Sequence, residues 1–147
     1  MEAVILIGLQ AAGKSSFYRQ VFIDSHIRLN LDMLKTRHRE QLLFEACLAA
    51  KQPVVIDNTN PRKEDRQKYI AIAKESKFEV TGYYFQSELA DCKQRNEQRQ
   101  GKAKIPLVGL LDTYKKLELP SYTERFDRLF YVRLDSNKFI VEEWDTV

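Results

Sequence analysis

Gly8-Leu9-Gln10-Ala11-Ala12-Gly13-Lys14-Ser15 follows the spacing GxxxxGK[ST], with a lysine and a hydroxyl directly after the second glycine. Each residue type has a chemical use at that spacing. Gly8 and Gly13 permit backbone turns that aim successive N–H groups inward, where they and the following helix N-terminus can hold phosphate oxygens. Lys14 is then placed for the β- and γ-phosphates of a triphosphate, and the Ser15 hydroxyl for Mg²⁺. The expected nucleotide-binding set is Gly8, Gln10, Ala11, Ala12, Gly13, Lys14, Ser15 and Ser16, with Arg99 from farther along the chain; Ser16 reads as an ordinary first-turn residue.

Three other segments carry reactive or charged side chains. In Arg28-Leu29-Asn30-Leu31-Asp32-Met33-Leu34-Lys35 an apolar alternation ends on Asp32. Transfer of a phosphoryl group to an alcohol needs a group that orients the hydroxyl and takes its proton, and Asp32 suits that role; a helix N-cap is the alternative. Lys35 shares a helical face with Asp32 and either holds an acceptor phosphate or is a solvated lysine. In Asp57-Asn58-Thr59-Asn60-Pro61 the carboxylate of Asp57 ends a strand, where it can serve the Mg²⁺ shell or the acceptor. Thr59 and Asn60 are further acceptor-side candidates, although Asn58 and Asn60 also suit turn and cap chemistry. Arg95 and Arg99, four apart, project from one helix face, and Lys102 and Lys104 follow Gly101. Arginines that close over a transferred phosphoryl group stabilise its spreading charge; the other reading is a solvated helix paired with Glu88, Asp91 and Glu97. Tyr83, Tyr84 and Phe85 could stack bases, but aromatics in a strand are expected to be core.

These residues need strands and helices in alternation to bring them together. The apolar run 3–7 reads as a strand buried on both faces, and Phe17, Val21 and Phe22 as a helix after the loop. Residues 26–31 suggest a short second strand, 38–51 a helix whose apolar set is Leu42, Leu43, Ala46, Cys47 and Ala50, and 53–57 a third strand. Asn60-Pro61 reads as a cap and first turn opening a helix to about residue 77. A strand over 78–85, helices over 88–99 and 107–117 around a basic loop, and closing strands at 130–134 and 139–142 complete the pattern. The expected fold is α/β, with a mostly parallel sheet covered on both faces and ligands beyond the carboxyl ends of the strands.

The 147 residues suit one domain, with a lid over about residues 95–106. A composition of 44% hydrophobic and 31% charged residues excludes a disordered chain. The apolar run at the start is too short for a membrane span or signal core, so no membrane partner and a cytosolic location are expected. Cys47 and Cys92 lack metal or redox spacing and are expected as buried thiols. A net charge of +3 is compatible with nucleic-acid binding.

Together, the GxxxxGKS loop, Asn30-x-Asp32, the Asp57-Asn58-Thr59-Asn60-Pro61 block and Arg95-Asn96-x-x-Arg99 resemble the kinase domain of polynucleotide 5′-hydroxyl kinases, in that family's order, over residues 3–120. The resemblance implies a P-loop NTPase fold of kinase type, a three-layer sandwich with a small helical lid. It further implies ATP and Mg²⁺ as cofactors, a nucleic acid 5′ end as acceptor, Asp32 as general base and Arg99, aided by Arg95, as lid arginine. The chain departs from that family at Gln10-Ala11, where glycine or proline is usual, and at Lys35, where arginine is common. Two other functions fit the same residues: a kinase for a nucleoside, sugar or antibiotic, and a nucleotide-binding module that regulates a partner.

Overall fold

A computed structural model describes residues 1–145. Its elements in chain order are β1 (Glu2–Ile7), α1 (Lys14–Val21), β2 (Ile27–Leu29), α2 (Leu31–Leu34), α3 (Arg37–Ala49), β3 (Val54–Ile56), α4 (Lys63–Glu75), β4 (Glu79–Phe85), α5 (Leu89–Glu97), α6 (Leu107–Lys116), β5 (Arg128–Asp135) and β6 (Lys138–Glu143). Short 3₁₀ turns occupy Gly101–Ala103 and Tyr122–Glu124. The strands form one sheet in the order β2-β3-β1-β4-β5-β6, in which only β6 runs antiparallel, against β5. No helix among the described residues is long and apolar enough to cross a membrane.

The central strands are apolar without a break because both faces are covered. Ala3, Ile5 and Ile7 of β1, with Val54 and Ile56 of β3, face Phe44 and Leu48 of α3 and Tyr69, Ile70 and Ala73 of α4. Val4, Leu6 and Val55 point the other way, onto Phe17 and Tyr18 of α1, Cys92 of α5 and Leu110 of α6. Tyr83, Tyr84 and Phe85 pack with Phe17, Phe130 and Trp144 and belong to the core. Cys47 and Cys92 are buried free thiols.

Three elements depart from the sequence reading. The strand expected over residues 26–31 ends at Leu29, because the Asn30 side chain caps a helical turn there, and Asp32 lies in that turn and not at a strand end. The buried face of α3 is Glu40, Phe44, Cys47 and Leu48, while Leu42 and Leu43 are exposed. The helix is turned by the buried Glu40, whose carboxylate accepts from Tyr69 Oη of α4 and, at 2.8 Å, from Asn58 Nδ2. A satisfied carboxylate can therefore occupy a core position that apolar counting gives to leucine. Asn60 does not cap α4. It sits at φ +46° with its amide bonded to Leu6 O at 2.8 Å, and the helix starts three residues later, after Arg62, whose N–H donates to Asp65 Oδ2.

Arg66 of α4 is fully buried and binds Glu124 through two nitrogens, at 2.8 and 3.2 Å. Its remaining nitrogen donates to the carbonyls of Asn60, Pro61 and Glu118. One guanidinium thus ties the loop after β3 to the segment that leads into β5. Arg66→Ala leaves Glu124 buried without its partner, and urea unfolding is expected to show a loss of about 3–5 kcal/mol; a loss under about 1 kcal/mol would remove the pair from the account.

Candidate active site

The loop of residues 8–13 leaves β1 and enters α1 at the carboxyl edge of the sheet. Gly13 precedes α1 in the left-handed region at φ +104°, and a Cβ there would meet the Phe139 ring at 3.0 Å. Glycine is thus required twice, for the turn and for the approach of β6. Ala11 also has positive φ, +64°, a conformation that glycine adopts at lower cost. Gln10 turns away from the loop's concave side and donates to Thr113 Oγ1 of α6 at 3.0 Å.

Lys14 folds back over the loop, donating to Gly8 O at 2.8 Å and Leu9 O at 2.6 Å. It is 8% exposed, and burial pushes its ammonium down to about 8; the charge of Asp57 opposes the shift, Arg99 adds to it and Asp32 opposes it weakly. Asp32, Asp57 and Arg99 therefore all lie within electrostatic reach of Lys14. Ser15 Oγ donates to Asp57 Oδ2 at 3.0 Å, and Asp57 is 2% exposed. A hydroxyl and an ionised carboxylate at the edge of a phosphate cradle form a hard-oxygen donor set, which fits Mg²⁺. A side chain absent from the sequence reading completes this group: Arg28 of β2 donates to Asp57 Oδ2 at 2.7 Å and to Ser15 Oγ at 3.1 Å. In the sequence it is one polar residue in an alternating strand, with nothing to mark its reach.

Asp32 lies in the single turn α2, exposed and without a hydrogen bond or ion pair among the described residues. The cap of α2 is Asn30, whose Oδ1 accepts Met33 N at 3.1 Å while its Nδ2 donates to Asp57 O at 2.6 Å. Asn58 Oδ1 accepts Leu31 N at 2.9 Å, so α2 is pinned from both sides with the Asp32 carboxylate left uncommitted. Lys35 is exposed at the end of α2 with φ +76°. Thr59 receives the Gly8 N–H on its carbonyl at 3.0 Å and keeps its hydroxyl uncommitted among the described residues. Asn60, expected on the acceptor side, is buried with its amide held by Leu6 O; it fastens the loop to β1.

Arg95 donates to Ala11 O at 3.0 Å, and Arg99, just beyond the end of α5, donates to Ala103 O at 3.2 Å. Burial lowers the Arg99 pKa, against the field of Cys92. Asn96 clamps the lid loop with a reciprocal pair, Ile105 N to Oδ1 at 2.8 Å and Nδ2 to Ile105 O at 2.6 Å. Both arginines border a cavity of about 320 Å³ together with Gly13, Ser16, Asn137 and Phe139. The β5–β6 hairpin, which carries no motif, thus supplies one wall beside the phosphate loop. Lys104 faces elsewhere, lining a separate cavity of about 390 Å³ with Lys93, Glu97 and Ile105 on the outer side of the lid.

A phosphate loop on a 2-3-1-4-5 parallel sheet, with a carboxylate beyond β2 and arginines over the cradle, defines a nucleotide-binding kinase of the P-loop class. The family described as AAA domain matches residues 35–119, more than half of the sequence, and the chain belongs to that family. A bifunctional polynucleotide phosphatase/kinase of Schizosaccharomyces pombe is 27% identical over 98% of this chain. The chain spans about a third of the length of the curated relatives it matches, 36% and 35%. Among solved structures, Chaetomium thermophilum Kti12 in complex with ADP-AlF3 superposes with a TM-score of 0.70 at 17% identity, covering 90% of this chain and 89% of that one. A gluconokinase from Sinorhizobium meliloti gives 0.64 at 18% identity, covering 90% and 82%. These two share the fold.

The depressed Lys14 gives a pH signature. If Lys14 takes phosphate oxygens as ammonium, nucleotide raises its pKa from about 8. ADP binding at a pH above that value is therefore expected to take up a proton and to weaken as pH rises. Calorimetry in buffers of different ionisation enthalpy measures the uptake, which Lys14→Met should abolish; uptake that persists in the variant would place the titrating group elsewhere.

Proposed function

We propose that the chain transfers the γ-phosphate of ATP, with Mg²⁺, to the 5′-hydroxyl of a polynucleotide. The observation that carries this reading is Asp32, an exposed carboxylate unpaired among the described residues, on a turn pinned by Asn30 and Asn58 within electrostatic reach of Lys14. The name of the fungal relative, a polynucleotide phosphatase/kinase, supports the choice of acceptor.

In this reading the loop N–H groups and Lys14 hold the β- and γ-phosphates, beside the cavity that Arg95, Arg99 and the β5–β6 hairpin line. Ser15 and Asp57 would hold Mg²⁺, which would supply neutralisation of charge on the phosphate oxygens. Asp32 accepts a hydrogen bond from the 5′-hydroxyl and takes its proton as the new P–O bond forms and the bond to the β-phosphate oxygen breaks, releasing ADP. Arg99 and Arg95 balance the charge that spreads over the transferred group. Lys35 engages an acceptor phosphate beside Asp32, and Thr59 is a further acceptor-side candidate through its uncommitted hydroxyl. Lysine makes this contact as a point charge, without the bidentate fork of an arginine.

Transfer of labelled γ-phosphate to a panel of 5′-hydroxyl DNA and RNA oligonucleotides, nucleosides and sugars tests the proposal. Label on oligonucleotides is expected, with Asp32→Ala slower by about 10²–10⁴-fold at unchanged ADP affinity, the range for losing a positioned acid or base. Label on the small acceptors alone would overturn the polynucleotide reading, and loss of ADP affinity in Asp32→Ala would overturn the role of Asp32.

A further inference from the structure

Arg28, Ser15 and Asp57 close a triangle: Arg28 Nε to Asp57 Oδ2 at 2.7 Å, Arg28 Nη2 to Ser15 Oγ at 3.1 Å, and Ser15 Oγ to Asp57 Oδ2 at 3.0 Å. Asp57 is buried at 2% side-chain exposure, whereas Arg28 keeps 27% and so has an open side toward which it can move. An ionised carboxylate so buried requires a counter-charge, and Arg28 is the cation bonded to it. The two oxygens that Arg28 engages are the same two that form the donor set for a divalent ion. The Ser15 hydroxyl has one proton, given to Asp57, and its acceptor side is turned to Arg28. A divalent cation on that acceptor side would stand next to a guanidinium of like charge, in a site already lined by Lys14.

We propose that Arg28 is the resident cation of the metal site: it neutralises Asp57 in the metal-free protein and must leave Ser15 when the divalent ion enters, and thereby sets the metal affinity of the nucleotide complex. This rests on the reading that Ser15 and Asp57 are the metal-holding pair. The consequence is an ordered site at every stage, since the charge of Asp57 is matched first by Arg28 and then by the ion. The strand position makes this possible. Arg28 pairs with Val55 in the β2–β3 register, one residue before the strands end, so its side chain can reach past the end of β3 to Asp57.

Binding of Mn²⁺, read by electron paramagnetic resonance in the presence of saturating ADP, tests the proposal without any turnover. Arg28→Gln, which removes the charge, is expected to bind Mn²⁺ roughly tenfold more tightly than wild type, the scale of one unit charge at a partly screened site. Arg28→Lys keeps the charge but cannot span both oxygens with a fork, and should fall between the two. Ser15→Ala and Asp57→Asn should both bind the ion more weakly. If those two variants bind Mn²⁺ weakly while Arg28→Gln matches wild type or falls below it, Arg28 is a strut for Asp57 and the proposal is overturned with the metal pair intact. If Ser15→Ala and Asp57→Asn leave Mn²⁺ affinity unaltered, the metal pair itself is misassigned and the proposal falls with it. Should Arg28→Gln fail to fold, Arg28→Lys decides: tighter binding than wild type supports the proposal and equal or weaker binding overturns it.

Discussion

Four consecutive residues after β3 are bonded to six different parts of the molecule, and the geometry of the site depends on that. Asp57 accepts from Ser15 and Arg28, Asn58 bridges α2 and the buried Glu40 of α3, the Thr59 carbonyl receives Gly8 N–H at the start of the phosphate loop, and Asn60 ties back to Leu6 of β1. β1 and α1, which carry the phosphate loop, and β2 and α2, which carry Arg28 and Asp32, share no strand pairing, because β3 lies between them. The loop 57–60, together with the direct Arg28–Ser15 bond, links the two. Arg66 holds the far end of the same loop through the carbonyls of Asn60 and Pro61.

Charge follows the same division. Around the phosphate loop, burial weakens the hold of Lys14 on its proton while Asp57 and Asp32 strengthen it, leaving its pKa at about 8. On the acceptor side Asp32 stays exposed, relieved of capping by Asn30. Helix starts usually consume such a carboxylate; here an asparagine one residue before the turn takes the capping role and leaves the acid available. The lid adds its cations by short tethers, Arg95 to the loop itself and Asn96 to Ile105, so the arginines are held close to the cradle.

Much of this was legible in the sequence where chemistry depends on spacing. The glycines, Lys14 and Ser15, the strand-ending Asp57, and the pair Arg95 and Arg99 sit where local pattern places them, as does the alternation of strands and helices, whereas Asp32 falls in a helical turn past the end of β2 and not at a strand end. What local pattern missed was set by partners distant in sequence. Asn60 reads as a helix cap beside a proline, but its amide is claimed by Leu6, 54 residues earlier. Leu42 and Leu43 read as core because Glu40 reads as surface, and only Tyr69 and Asn58 make its burial tolerable. Arg28 and the hairpin residues Asn137 and Phe139 belong to no local motif, since their role comes from strand order.

The central claim is that the loop 57–60 couples the acceptor turn to the donor cradle. Asn58→Ala removes both the Leu31 and the Glu40 bonds and leaves Ser15, Lys14 and Asp57 intact, so single-turnover phosphoryl transfer measured alongside ADP affinity is the most direct test. The account predicts transfer slowed by about 10²-fold, the cost of a displacement near 1 Å at a reacting group, with ADP affinity unchanged. Transfer at the wild-type rate, or an equal loss of ADP affinity, would contradict it.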